Sequence, residues 1–357
     1  MLIDFHNDVA MKLLSHGVSL FRSGGKLQVD AEKIRGTRPD ALFCACYSDP
    51  NFSGEDAMEV VRAQIRILRE NFGHPESPAE IALSLKDFDR ISNLRKTAAI
   101  LTVEGGYAIR DRLEPLEELY QEGVRLLTLT HSMATDWAGS DADQPGRGLT
   151  TFGEKVIAKL NELGIIVDVA HASTETQLAA ARCSRAPVVY SHGGVRSLVA
   201  SSRSIADEAI RAIADKGGVI AMSFYPPHLM KSPELDPVWL ERVMKKMQTV
   251  VEDRSVSQLE KFKCLARMFE EEQPPGFPHA GLEVLADNFD HVIELVGDDF
   301  VAFGSDYDGI PYTCTGIEDL SKIRHIADYL RARGYSDERI RKISGLNAKR
   351  VIEAVLR

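Results

Sequence analysis

Six short apolar runs along the chain stop at a histidine or a carboxylate. They are LIDFHND at His6 and Asp8, AAILTVE at Glu104, RLLTLTH at His131, IIVDVAH at His171, PVVYSH at His192 and FVAFGSD at Asp306. Runs rich in Val, Ile, Leu, Phe and Thr predict strands buried on both faces. ALFCACY (41–47) and GVIAMSF (218–224) complete a set of eight, beginning near residues 2, 41, 98, 125, 165, 187, 219 and 300. Between them EDAMEVVRAQIRILRENFG, LEPLEELYQEGV, TTFGEKVIAKLNELG and IADEAIRAIADKGG repeat apolar residues at helical spacing and close on glycine. Strand and helix alternating eight times predict an α/β chain folded as a (β/α)8 TIM barrel. A doubly wound open sheet is the rival, but it would bind at one switch point rather than around a whole rim.

Two stretches break the repeat. After the first strand lies a polar stretch with little apolar content. Between strands seven and eight lies a long insertion, about 226–299, with a highly charged helix expected over 237–272 (RVMKKM, LEKFKCLARMFEEE) before the loop QPPGFPHAG. The insertion reads as a helical excursion packed against the rim or a partner subunit, so residues 1–357 are expected to form one metal-dependent hydrolase domain. The final helix, SDERIRKISGLNAKRVIEAVL, should close the barrel.

A barrel of parallel strands carries its chemistry at the C-terminal strand ends, so these distant residues would converge on one rim. Of ten histidines, six (His16, His74, His228, His279, His291 and His325) read as surface or satisfied core residues. His6, His131, His171 and His192 instead terminate apolar strands. By two-residue alternation, Val167, Val169 and His171 should face the axis together, as should Val188, Tyr190 and His192. His6 and Asp8 can hold one metal from a single strand end. Glu104 after AAILTV needs a cation if buried, and its two oxygens can bridge two metals; Gly105 and Gly106 let the backbone turn sharply behind it. Asp306 shares the parity of Ala302 and Gly304 and could ligate metal, shuttle a proton or do both, while Asp308 belongs to the loop. No strand ends in lysine, so no carbamylated lysine is available as a bridge. The pattern is that of a metal-dependent hydrolase.

Composition narrows this only slightly. With 44% hydrophobic and 27% charged residues, the 357-residue chain has ample material for a core. Forty-three basic against 53 acidic residues leave a net charge of −10, which argues against a nucleic-acid partner without excluding a small anionic substrate. No secretory leader is visible, and no apolar run approaches the ~20 residues that span a bilayer. Five scattered cysteines (Cys44, Cys46, Cys183, Cys264 and Cys314) read as reduced thiols, so a cytoplasmic location without membrane attachment is expected. Cys44 and Cys46 share a strand face and could bind metal, though a buried small side chain is the commoner role.

With these residues in place, the chain resembles the renal (membrane) dipeptidase family of zinc metallopeptidases, within the amidohydrolase-like barrels. The likeness runs through IDFHND, VEGG, LTLTHS, GLTTFGEKVIAKLNELGIIVDVAHAS, YSHGGVR, KGGVIAMSFYP, FGSDYDG and GLNAKRV. It implies two zinc ions, one held by His6, Asp8 and Glu104 and the other by Glu104, His171 and His192, bridged by Glu104 and a water or hydroxide. It further implies that His131 contacts the scissile carbonyl or its tetrahedral product and that Asp306 moves the proton. Arg203, in VASSRSI, would grip the substrate's C-terminal carboxylate, with Tyr225, in SFYPP, lining the same end. The implied substrate is a dipeptide, with a D residue tolerated at its C-terminal position, and a homodimer is the implied assembly. Unlike membrane-bound relatives, the chain carries no visible leader, lipid-anchor signal or disulfide pattern. The alternative is the same barrel acting on N-acyl amino acids, lactones or other amide, ester or phosphoester bonds, since rim loops change specificity.

Overall fold

The structure, a computed structural model, describes residues 1–356. All eight predicted strands form: β1 (Ile3–Asn7), β2 (Ala41–Tyr47), β3 (Thr97–Glu104), β4 (Val124–Thr128), β5 (Ile166–Asp168), β6 (Val188–Tyr190), β7 (Val219–Met222) and β8 (Val301–Phe303). Each pairs in parallel with its neighbour, and pairing of β8 with β1 and of β2 with β3 closes the ring. The chain is therefore a (β/α)8 barrel. A short extra strand, Ala79–Ile81, pairs with the lower half of β3 on the edge whose upper half pairs with β4.

The barrel interior is filled by alternate strand residues, including Phe5, Phe43, Ile100, Leu126, Ile166 and Val189. Here one expectation is reversed. Val167, Val169, Val188 and Tyr190 pack outward against the helices, whereas Ile166 and Val189 face the axis. The cause is strand length: β5 and β6 are only three residues each, so regular alternation ends before His171 and His192. Both histidines turn inward from the loops, His171 through a left-handed backbone at φ 63°.

The breaks in the repeat also resolve. The stretch after β1 opens with an apolar helix, Val9–His16, whose Val9, Ala10 and Leu13 are fully buried. The single charged helix expected over 237–272 is two helices, Pro237–Glu252 and Gln258–Glu271; the Ser257 hydroxyl caps the second by accepting from the Glu260 N–H. Helix Leu282–Val296 packs on β7 and β8 as a sheath helix of the barrel, so the excursion proper ends near Gly281. The closing helix is interrupted: Asp337–Arg341 passes through a π-helical turn, Lys342–Leu346, into Asn347–Val355. No helix among the described residues is long and apolar enough to cross a membrane.

Where β8 ends, Gly304 sits so close to the segment that follows β6, two strands away, that an added Cβ would lie 1.8 Å from the Ser191 carbonyl oxygen. Backbone cannot yield as a flexible side chain does. Gly304→Ala should therefore destabilise the barrel by about 1–3 kcal/mol, read as a lower denaturant midpoint at unchanged slope.

Candidate active site

The C-terminal rim gathers seven of the predicted residues into one buried cluster. Glu104, the last residue of β3, lies at its centre. Its Oε1 is 2.8 Å from His171 Nε2, 3.2 Å from His192 Nε2 and 4.0 Å from His131 Nε2. Its Oε2 points the other way, 3.6 Å from His6 Nε2. His6 Nε2 is also 3.2 Å from Asp8 Oδ2 and 4.0 Å from Asp306 Oδ1. His6 reaches this position because the β1–β2 register shifts between Asp4 and Asn7. Asp306 reaches it through a left-handed backbone at φ 65°, and Gly105, at φ 97°, turns the chain away behind Glu104. Such conformations outside glycine cost free energy and cluster at functional sites.

The charge balance of the cluster calls for cations. Burial opposes a charge on His6, yet Glu104 and Asp8 overcome it and push the imidazole up to about 10. Burial raises the Asp306 carboxyl to about 7, with His6 opposing and Asp8 and Glu104 adding to the shift. His171 and His192 go the opposite way: burial, with Arg203 nearby, holds both well below the usual imidazole range, so they present neutral nitrogens. Three carboxylates and neutral imidazoles in a dry pocket are the donor set of a divalent-cation site. Three groups have ligand atoms that all lie within 4.8 Å of one another: His6, Glu104 and His192; Glu104, His131 and His171; and His6, Asp8 and Asp306. Both ring nitrogens of His6 are buried without a hydrogen-bond partner, as expected of a side chain whose partner is an ion. The residues present fit a divalent-metal centre, with Glu104 in two of the three groups.

Buried carboxylates outside the rim cluster orient it, and the strand-end pattern did not single them out. Asp168 on β5 accepts the Ser191 hydroxyl (2.6 Å), the Ser191 N–H (2.9 Å) and the Thr128 hydroxyl (2.6 Å). With its proton committed to Asp168, the Ser191 oxygen accepts from His192 Nδ1, 2.8 Å away. That fixes the His192 tautomer and turns the Nε2 lone pair into the site. Asp4 on β1 does the same for the residue preceding Asp306, accepting the Ser305 N–H (2.7 Å) and hydroxyl (2.6 Å).

The cluster floors a cavity of about 390 Å³. His131 stands at its wall, about a quarter exposed (24%), its ring tilted on that of His171 at 4.0 Å. Arg203 and Tyr225 also line it. The Arg203 carbonyl accepts from the Gly194 N–H and the Tyr190 hydroxyl, pinning the loop, while its Nη1 is buried without a partner. Part of the lining is apolar, built by Met11, Tyr47, Met247, Leu265 and Phe269, the last three from the excursion. Cys44 and Cys46 are buried in the outer core and are not among the residues that line the cavity. Asp308 holds a loop, accepting the Gln28 and Val29 N–H groups.

Two lining residues escaped the strand-end pattern. His228, grouped with the unremarkable histidines, has Nδ1 3.8 Å from Asp306 Oδ2; it sits on the short helix Pro226–Leu229 beyond β7. Asp49 lies two residues past β2 and lines the cavity too. Reading two residues past the last apolar position of that run, to ALFCACYSD, would have found it.

The model of the membrane dipeptidase family (Peptidase family M19) matches residues 1–357. The chain belongs to that family. It is 27% identical over 99% of its length to Dipeptidase 3 of Mus musculus, but spans only 64% of that relative. Among solved structures, a dipeptidase described as a metallo peptidase of family M19 superposes with a TM-score of 0.81 at 22% identity, covering 99% of this chain and 98% of that one. A metallo peptidase from Rhodobacter sphaeroides, liganded with a phosphinate mimic of the dipeptide L-Ala-D-Ala, gives 0.78 at 21% identity, with 99% of each chain covered.

Ser191 links Asp168 to His192, so Ser191→Ala frees the imidazole to rotate and change tautomer. Divalent-metal affinity should fall roughly 10–100-fold with the fold intact, measured by competition against a chelator.

Proposed function

We propose that the chain is a metallo-dipeptidase that hydrolyses dipeptides with a free C-terminal carboxylate through two zinc ions. The observation that carries this reading is Glu104, one buried carboxylate with one oxygen toward His171 and His192 and the other toward His6. His6, Asp8 and Glu104 would hold one ion, and Glu104, His171 and His192 the other. Bound there, the ions supply Lewis acidity and a water acidified towards neutral pH.

The chain's own residues do the rest. The half-buried Arg203, with its unpaired Nη1, offers a planar fork to the substrate carboxylate, a geometry lysine does not reproduce. Tyr225, which lines the same cavity, would complete the pocket for that carboxylate. The scissile amide then lies over Glu104, within reach of His131. Burial, and the nearby Arg203 and His6 against the pull of Glu104, hold His131 down at about 4, so it meets the carbonyl neutral and donates a hydrogen bond as negative charge develops on oxygen. Asp306 accepts the proton of the attacking water and delivers it to the leaving nitrogen, so the amide C–N bond breaks without a covalent enzyme intermediate.

A D residue at the C-terminal position fits the same scheme, and the Rhodobacter sphaeroides peptidase carries a mimic of that stereochemistry. The five cysteines are all unpaired, which supports a reducing compartment such as the cytoplasm.

His171→Ala and His192→Ala should lose metal together with activity, where the intact protein binds about two zincs per chain. Asp306→Asn should keep metal and lose at least ~100-fold in turnover; near-normal rates in that variant would remove it from proton transfer. Arg203→Ala should cost roughly 100-fold in kcat/KM on free dipeptides and little on C-terminal amides. Equal loss on both would refute the carboxylate clamp.

A further inference from the structure

We infer that Asp49 is the anchor for the free α-ammonium group of the substrate, and that with Arg203 it forms a ruler admitting a dipeptide with two free ends. This rests on the peptidase reading above and deepens it, naming the group that would decide between dipeptides and N-acyl amino acids.

The first observation is an imbalance of partners. Asp49 is only 5% exposed, yet it lines the cavity. One of its oxygens, Oδ1, accepts the Asn51 N–H at 2.8 Å and the Asn51 side-chain amide at 2.7 Å. The other, Oδ2, accepts no hydrogen bond from the described residues, and no basic side chain offsets the charge. Burial accordingly pushes this carboxyl up, and the only opposition comes from Asn51. A largely buried carboxylate with one oxygen fixed and the other open to the cavity favours a cation there over a neutral group. The other buried carboxylates of the interior lack this feature: Asp4 and Asp168 are bonded at both oxygens, and Asp8, Glu104 and Asp306 share the metal cluster.

The second observation is placement. Asp49 follows β2 and Arg203 belongs to the loop after β6; in the ring β2-β1-β8-β7-β6-β5-β4-β3 these strands stand four places apart in either direction. The strands that lead to the two side chains are thus diametrically opposed in the ring, and both side chains line one cavity together with Glu104 and His131. A dipeptide carries its two charges in that order: carboxylate, scissile amide, ammonium. An N-acyl amino acid offers Asp49 no cation and leaves its oxygen unsatisfied. The apolar lining that Met11, Met247 and Phe269 give the same cavity would receive the N-terminal side chain.

Steady-state kinetics on L-leucyl-L-alanine and on 4-methylpentanoyl-L-alanine, which differs only by loss of the amine, test this with the zinc-loaded enzyme. The expected wild-type preference for the amine is roughly 100-fold or more in kcat/KM. In Asp49→Asn, whose amide oxygen still accepts from Asn51, the preference should shrink to within about 3-fold, through a higher KM for the dipeptide and an unchanged rate on the des-amino analogue. Equal wild-type cleavage of both compounds would overturn the anchor while leaving the peptidase reading in place, and needs no variant. A preference that persists in a folded Asp49→Asn would overturn it as well. Failure of the metal-loaded enzyme on every dipeptide would instead remove the peptidase reading itself, and the anchor with it.

Discussion

Negative charge without water is the constraint around which this molecule is organised. Asp8, Glu104 and Asp306 crowd the mouth of a barrel whose interior is otherwise apolar, and the imidazoles among them cannot neutralise all three. The elevated proton affinity of His6 shows how strongly the site attracts positive charge. Folding can bear such a cluster only because the surrounding framework is rigid. The ladders of eight strands fix the floor, Asp4 and Asp168 pin the residues just before Asp306 and His192, and backbone hydrogen bonds from the Asp306 N–H to the His6 carbonyl and from the Asp141 N–H to the His171 carbonyl hold the two left-handed turns.

The fold was legible because its signal is repetitive. Eight apolar runs separated by helical periodicity leave few architectures, and every strand formed within a residue or two of its expected start. The rim was legible for a related reason: a polar residue ending a fully buried strand has nowhere to point except across the barrel mouth. Orientation was not. Strands β5 and β6 are too short for alternation to persist to His171 and His192, so those side chains arrive through loop geometry that no two-residue period encodes. Nor did helix periodicity reveal the break at residues 253–257, DRSVS, where Asp253 accepts from Ser255 and Ser257 caps the next helix, so these side chains favour a turn over a helix interior.

The residues that escaped notice share a trait: none ends its apolar run outright. Asp49 stands two positions past β2 behind a tyrosine and a serine, and His228 lies on a helical turn beyond β7. Asp4 lies inside β1, and Asp168, the last residue of β5, lies inside the longer apolar run IIVDVAH; there alternation assigns a side chain to a face but gives no hint of its partner. A catalytic rim built from strand ends is visible in sequence. The groups that orient it and select what enters it belong to loops and to tertiary contact.

The excursion between β7 and β8 has a consequence for how such enzymes diversify. Its second helix is fastened to the body through Glu270, which reaches His16 at 2.7 Å and Lys12 at 3.3 Å, and through Arg267 to the Ser15 carbonyl, all on the helix that follows β1. None of these fasteners is a residue of the metal cluster. Successive lineages could trade this module for another of different length or texture, changing diet while the inherited chemistry beneath stays untouched.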